Sequence, residues 1–78
     1  MYEFSSYFVK NEVIFIEFSK NLKEIRKLKG LTQEEFAEKL EISIFTLQGY
    51  EQGKREPNLS TLVKIKIALD CSYDDLLK

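Results

Sequence analysis

Four polar residues, each placed just before a short stretch with helical apolar spacing, constrain the fold of this chain most strongly. They are Thr32, Ser43, Asn58 and Ser72. An oxygen at such a position accepts a hydrogen bond from a free backbone N–H group in the first turn of a helix. Glu35 follows Thr32 by three residues, which is the spacing of a capping box, and Asp75 follows Ser72 in the same way. The pattern predicts short helices joined by brief turns.

Apolar spacing then gives the bounds of these helices. Leu22, Ile25 and Leu28 predict an apolar stripe on a first helix that starts near Ser19 and stops at Gly30. Further helices are predicted over residues 33–40, 44–52 and 59–69, and a last short one after Ser72. Their expected core residues are Phe36, Ala37, Leu40, Leu47, Tyr50, Leu62, Ile65 and Leu69, and the last helix contains Leu76 and Leu77.

Residues 1–18 differ in composition from residues 19–78, and we treat them as a separate extension. They hold Tyr2, Phe4, Tyr7, Phe8, Phe15 and Phe18. Residues 4–10 and 13–18 are rich in aromatic and β-branched residues, which predicts two short strands. We expect either a β-arm that pairs with a second copy of the chain to form a dimer, or a hairpin folded back on the chain's own helices.

The composition argues against catalysis. The chain has 78 residues, which predicts one small domain, and it has no histidine, so neither a Ser-His nor a Cys-His nucleophile pair can form. Cys71 is the only cysteine, which excludes an internal disulfide and favours a small core residue in a reducing compartment. We therefore expect no enzyme, no cofactor, no metal, no membrane segment and a cytoplasmic location.

Residues 19–78 resemble a known family. The stretches TQEEFA, TLQGYEQGKREP and SYDDLL occur together at the family's spacing. On these residues the chain resembles the phage repressor and Cro-type helix-turn-helix family. The resemblance implies an all-α, five-helix domain of the lambda-repressor-like class, here with a short β-like N-terminal extension. It also implies a transcriptional regulator, expected to be a repressor, that binds a two-fold operator in double-stranded DNA as a homodimer.

The same resemblance implies roles for individual residues. The helix over residues 44–52 becomes the recognition helix, and the side chains expected to face the bases are Ser43, Ile44, Phe45, Thr46, Gln48 and Gly49. Gln33 is expected to contact a phosphate or a base, and Lys54 and Arg55 the DNA backbone. Arg26 and Glu51 correspond to a partly buried structural ion pair.

Two apolar residues leave an alternative open. Ile44 and Phe45 could contact thymine methyl groups, or they could hold a partner protein, as in an antitoxin-like or protein-interaction module. Gly49 has no side chain, so Thr46 and Gln48 are the main hydrogen-bonding candidates. We therefore expect modest sequence specificity.

The sequence departs from the family pattern at several positions. Glu41 and Asp70 occupy positions where the family often has glycine, and a left-handed backbone would cost Glu41 about 1–2 kcal/mol. Lys66 stands at a small core position, while Ile67 faces outward. Either the lysine stretches its ammonium group to water, or the helix is rotated and Ile67 meets the N-terminal segment.

The net charge of −1 hides an alternation of sign along the chain. Residues 20–31 carry +4, residues 32–51 carry −4 and residues 52–69 carry +3. Because DNA affinity depends on neutralising phosphates, the two basic blocks that flank the motif are the expected phosphate contacts. We expect weak non-specific affinity.

Overall fold

The computed structural model describes residues 17–77 as five α-helices, with no strand among them. Helix α1 is helical from the first described residue, 17, to residue 28. It is followed by α2 (Gln33–Leu40), α3 (Ile44–Glu51), α4 (Leu59–Leu69) and α5 (Tyr73–Leu77). The all-α prediction is confirmed. The strands predicted over residues 4–10 and 13–16, and the β-arm, lie outside the described residues. Residues 17 and 18 are helical, so the second predicted strand is wrong at that end.

Capping residues begin the helices at the predicted places. The Thr32 hydroxyl accepts a bond from the Glu35 backbone N–H at 3.0 Å, and the Glu35 carboxylate accepts one from the Thr32 N–H at 2.9 Å. Ser72 and Asp75 exchange the same two bonds, both 3.1 Å long. These bonds favour the charged carboxylates and hold the pKa of Glu35 and of Asp75 below its ordinary value. Single caps begin α3 and α4, at Ser43 and Asn58.

A hydrophobic core joins the five helices. Its buried side chains are Phe18, Leu22, Phe36, Ala37, Leu40, Leu47, Tyr50, Ile65, Leu69 and Leu76. The predicted apolar stripe of α1 is wrong at Leu28, which is 84% exposed. Phe18, Leu22 and Arg26 instead form the buried row at a spacing of four residues, because the helix already includes Phe18. In α5, Leu76 is buried and Leu77 is 39% exposed, so this helix contributes Leu76 to the core.

Two turns use left-handed backbone at residues other than glycine. Glu41 ends α2 with φ 58°, and Asp70 ends α4 with φ 50°. Glu41 has a side chain ill suited to this region, whereas aspartate tolerates it better. The predicted backbone strain at the turn between α2 and α3 is therefore present. The packed core on both sides of the turn keeps Glu41 in this conformation.

On α4, Lys66 stays outside the buried core, whereas the alternative contact of Ile67 with the N-terminal segment lies outside the described residues. Lys66 is half-buried, and its ammonium group stands 5.3 Å from the centroid of the Tyr73 ring. This is a cation–π distance, so the ring accommodates the charge while the alkyl chain packs. Ile67 is 72% exposed. Cys71 packs against the core, and partial burial raises the pKa of its thiol, which favours the protonated form.

Candidate nucleic-acid interface

Helices α2 and α3 form a helix-turn-helix unit. Only residues 41–43 separate them, and the Ile42 N–H donates to the Ala37 carbonyl at 3.0 Å, which closes the end of α2. Helix α2 packs against both α3 and α4. The buried residues Leu47 and Tyr50 fix the inner side of α3. The opposite side of α3 therefore faces outward in a defined orientation.

A buried ion pair connects α1 to the end of α3. The Arg26 guanidinium donates to the Glu51 carboxylate through Nε at 2.7 Å and through Nη2 at 3.3 Å. The two side chains are only 8% and 2% exposed. Nη1 of Arg26 also donates to the Leu31 carbonyl at 2.7 Å, so the guanidinium is bonded on several sides. The ion pair implied by the resemblance is present, and it ties three segments together.

Two glutamines extend this polar cluster to the surface. Nε2 of Gln33 donates to Oε1 of Glu51 at 2.9 Å, and Nε2 of Gln48 donates to Oε1 of Gln33 at 3.3 Å. Because an ionised carboxylate only accepts hydrogen bonds, the first contact fixes which way the Gln33 amide points. The buried charge pair thus orients Gln33, and Gln33 in turn orients Gln48. The spacing of these residues in the sequence did not predict this series of hydrogen bonds.

The first turn of α3 carries the most exposed candidates. Ser43 is exposed, and its hydroxyl caps the helix by accepting from the Thr46 N–H at 3.1 Å. The two hydroxyl groups of Ser43 and Thr46 also lie 2.9 Å apart. Phe45 points outward with 78% of its side-chain surface exposed. Ser43 and Phe45 are thus exposed, whereas Thr46 and Gln48 are half-buried.

The expected exposure of two other residues is wrong. Ile44 is half-buried and packs against the core. Gly49 is buried under the side chain of Arg55. The carbonyl of Gly49 accepts from the backbone N–H groups of Lys54 and Arg55, at 2.9 and 3.2 Å. The loop after α3 therefore turns back over the helix.

The two helices of the helix-turn-helix unit differ in the charge of their side chains. Helix α2 has Glu34 and Glu35 in its first turn, whereas α3 has no acidic residue in its first turn and no basic residue in its last turn. The exposed cations closest in sequence to α3 are Lys54 and Arg55. Among residues 17–77, no group of three His, Cys, Asp or Glu side chains could hold a metal ion. In that same range, every helix is too short or too polar to cross a membrane.

Comparison with known proteins agrees with this architecture. A family model described as "Helix-turn-helix" matches residues 22–76. The chain is 51% identical over 61 residues to an uncharacterized HTH-type transcriptional regulator, YqaE of Bacillus subtilis, a match that covers 78% of this chain and 53% of the relative. It is 42% identical over 62 residues to the HTH-type transcriptional regulator ImmR of Bacillus subtilis, which covers 80% of this chain and 49% of the relative.

A solved structure shares the fold. The restriction-modification controller protein C.AhdI from Aeromonas hydrophila superposes with a TM-score of 0.74 at 32% identity, over 80% of this chain and 94% of that protein. The chain spans about half the length of the two curated relatives above. The similarity therefore concerns the helical unit of residues 22–76.

Proposed function

Because the chain belongs to the helix-turn-helix family of DNA-binding transcriptional regulators, we propose that it binds a specific DNA sequence through the outer face of α3 and acts as a repressor. One observation carries this proposal. The outer face of α3 is free of acidic side chains and is held in place from beneath by the cluster of Arg26, Glu51 and Gln33. A rigid neutral helix face is suited to the major groove.

In the proposed complex, the N-terminal half of α3 lies in the major groove. Thr46 and Gln48 offer hydrogen-bonding groups to base edges, and a glutamine amide pairs well with adenine. Phe45 offers an apolar ring that suits a thymine methyl group. Ser43 is committed to capping the helix, so its part is to place the first turn of α3 rather than to select a base.

Contacts with phosphates would come from both sides of this face. Gln33 is the first residue of α2, where free backbone N–H groups favour an anion. Lys54 supplies positive charge for a phosphate just after α3 and is followed by Arg55, a second exposed cation. Ile44 supports the first turn from the core side, and Gly49 allows the following loop to approach.

A single recognition helix covers only a few base pairs. We therefore propose that two copies bind a two-fold operator, with half-sites about one helical turn, roughly 34 Å, apart. This places the protein at DNA in the cytoplasm and assigns it neither catalysis nor a cofactor. The segment before residue 17, proposed as the arm that joins the two copies, is tested by deleting residues 1–16 and measuring mass by light scattering. An unchanged dimer would exclude that role.

Selection of bound sites from a random pool of duplex DNA tests the function. The full chain is expected to enrich one sequence, and Gln48→Ala is expected to change the preferred base at one position of each half-site. Glu38→Gln is the matched control, because Glu38 is exposed on α2 away from that face. Enrichment of no sequence by the full chain would contradict the proposal.

A second function is favoured by one observation, the exposed ring of Phe45. The ring could anchor a partner protein in an antitoxin-like or interaction module. Phe45→Ser separates the two cases. If α3 binds DNA, the change weakens binding to the selected duplex; if α3 holds a protein, DNA binding is absent or unaffected.

A further inference from the structure

The side chain of Arg55 lies along the outside of α3, although the residue belongs to the loop after that helix. A Cβ atom built on Gly49 would stand 2.8 Å from both Cγ and Cδ of Arg55, so the arginine stem passes directly over the glycine. Nη1 of Arg55 then reaches to 3.5 Å from the hydroxyl oxygen of Thr46. The guanidinium is thereby carried back toward the first turn of α3.

Two backbone hydrogen bonds hold this arrangement. The Gly49 carbonyl accepts from the N–H groups of both Lys54 and Arg55, so the start of the Arg55 side chain is fixed relative to α3. Glycine is a poor choice in the middle of a helix, because it adds flexibility to the unfolded chain and packs no side chain. Its presence at position 49 is explained by the close approach of the arginine stem.

The Arg55 guanidinium has N–H groups that make no hydrogen bond within residues 17–77. Arginine has five N–H groups, and within residues 17–77 Arg55 directs one nitrogen, Nη1, toward Thr46 and pairs with no carboxylate. It is exposed, unlike the Arg26 guanidinium. At least one pair of parallel N–H groups is therefore open to a flat acceptor with two adjacent acceptor atoms.

We propose that Arg55 is a base-reading residue that recognises a guanine in the major groove. Guanine presents O6 and N7 side by side there, and a guanidinium fork bonds to both. Arg55 reaches back to Thr46 in the first turn of α3, which lies in the major groove in the proposed complex, and this location favours a base edge over a phosphate. The inference rests on the proposed function and gives it a specific base contact.

The role of Gly49 follows from that of Arg55. An alanine at position 49 would occupy the space of the arginine stem and push the guanidinium away from Thr46, while the charge of Arg55 is retained. Gly49→Ala should thus lose the guanine preference without removing a cation. Gly49 is in this sense a positioning residue, acting through Arg55.

The experiment compares the full chain with five variants, Arg55→Lys, Arg55→Ala, Gly49→Ala, Lys54→Ala and the double change Gly49→Ala with Arg55→Ala. Each is first checked for an unchanged helical circular dichroism spectrum. Binding is measured by fluorescence anisotropy on the duplex that the full chain selects and on duplexes with each guanine replaced in turn by adenine, at two salt concentrations.

We expect the full chain to discriminate against adenine at one guanine of each half-site by roughly 5- to 150-fold, the range of a good bidentate contact. Arg55→Ala and Gly49→Ala should reduce that ratio to near one, and Arg55→Lys, which keeps the charge but not the planar fork, should lower it. Lys54→Ala should weaken binding to all duplexes equally, with a salt slope lower by about one, and keep the ratio. In the Arg55→Ala background, Gly49→Ala should cause no further loss.

Two results would overturn the inference and can be told apart. If the full chain selects a site but Arg55→Lys and Gly49→Ala keep every base preference, Arg55 contacts only phosphate. If the full chain binds all duplexes equally, the proposed function itself fails.

Discussion

Helices α2 and α3 have the same length, eight residues, and both begin at a hydroxyl cap, yet they are held in the fold by different forces. Helix α2 buries the apolar side chains Phe36, Ala37 and Leu40 and exposes acidic residues. Helix α3 buries Leu47 and Tyr50, but it also buries the carboxylate of Glu51. Apolar packing is enough for α2, whereas α3 depends in addition on a polar anchor.

The difference explains how the two helices divide their work. An acidic outer face repels phosphates, so α2 is suited to supporting rather than to reading DNA. The outer face of α3 has no carboxylate, and the side chains on it are oriented by contacts that come from other segments. Gln33 orients Gln48, and Arg55 lies over Gly49. The reading face is therefore assembled by three segments around one helix.

The largest expected effect is the loss of the polar anchor of α3. Arg26→Ala leaves the buried Glu51 carboxylate without its cation, and we expect it to lower the free energy of unfolding by about 3–5 kcal/mol. Urea denaturation measures the change. Replacing both residues with apolar ones, Arg26→Met with Glu51→Leu, should recover most of the stability. A loss below about 1 kcal/mol in Arg26→Ala would contradict the account of how α3 is held.

Removing the N-cap of α2 or of α3 is expected to have a smaller effect on stability. Thr32→Ala removes the hydroxyl that accepts from the Glu35 N–H, and we expect a loss of about 1 to 2 kcal/mol in the free energy of unfolding. Ser43→Ala makes the matched comparison on α3 and should cost about 1 kcal/mol, since no carboxylate completes that cap. Thermal denaturation followed by circular dichroism compares them. An equal or larger loss in Ser43→Ala would reverse the ranking.

A substitution in the turn between the two helices is expected to raise the free energy of unfolding rather than to lower it. Glu41→Gly relieves the left-handed backbone at φ 58°, and we expect it to raise the free energy of unfolding by about 1 kcal/mol. The Glu41 carboxylate stands 3.8 Å from the Lys64 ammonium, but both side chains are largely exposed, so losing this contact costs little. Asp70→Gly is the control and should gain less. A destabilised Glu41→Gly would show that the turn is unstrained.

The smallest expected effect is a dependence of the free energy of unfolding on pH, and it should come from α2 rather than from α3. The Thr32 bonds hold the pKa of Glu35 below its ordinary value of 4.5, so folding favours the charged form. The resulting stability is complete above pH 4.5 and is lost as the pH falls through the lowered pKa of the folded state. Asp75 acts in the same direction in α5. Glu35→Gln should flatten the decline in stability at acidic pH, and an unchanged acid titration of stability would contradict this.

Sequence patterns predicted the starts of α2, α3, α4 and α5 well, because each of these helices follows a residue that caps it through local hydrogen bonds. The caps at Thr32, Ser43 and Asn58 need only residues three positions away. Periodicity also located the core of α2. It failed at Leu28, since counting from Ser19 left Phe18 out of α1 and shifted the buried row.

The candidate site was less accessible to sequence reasoning. The family resemblance placed Gly49 among the exposed residues of α3 that face the bases. The structure buries it because a side chain from another segment, that of Arg55, crosses the helix. The chain of bonds from Glu51 through Gln33 to Gln48 likewise joins residues far apart in sequence. Such contacts follow from the tertiary arrangement and leave no local signal.

The central claim is that α3 and the loop after it read the DNA bases, while α2 contributes only its first residue, Gln33, to a phosphate contact. The most direct measurement is a two-dimensional ¹H–¹⁵N NMR titration of the full chain with its selected duplex. The account predicts that the largest shifts fall on Phe45, Thr46, Gln48 and Arg55, with the outer residues of α2, such as Glu38, little affected. Shifts centred on the exposed apolar residues of α4, with α3 unmoved, would contradict it.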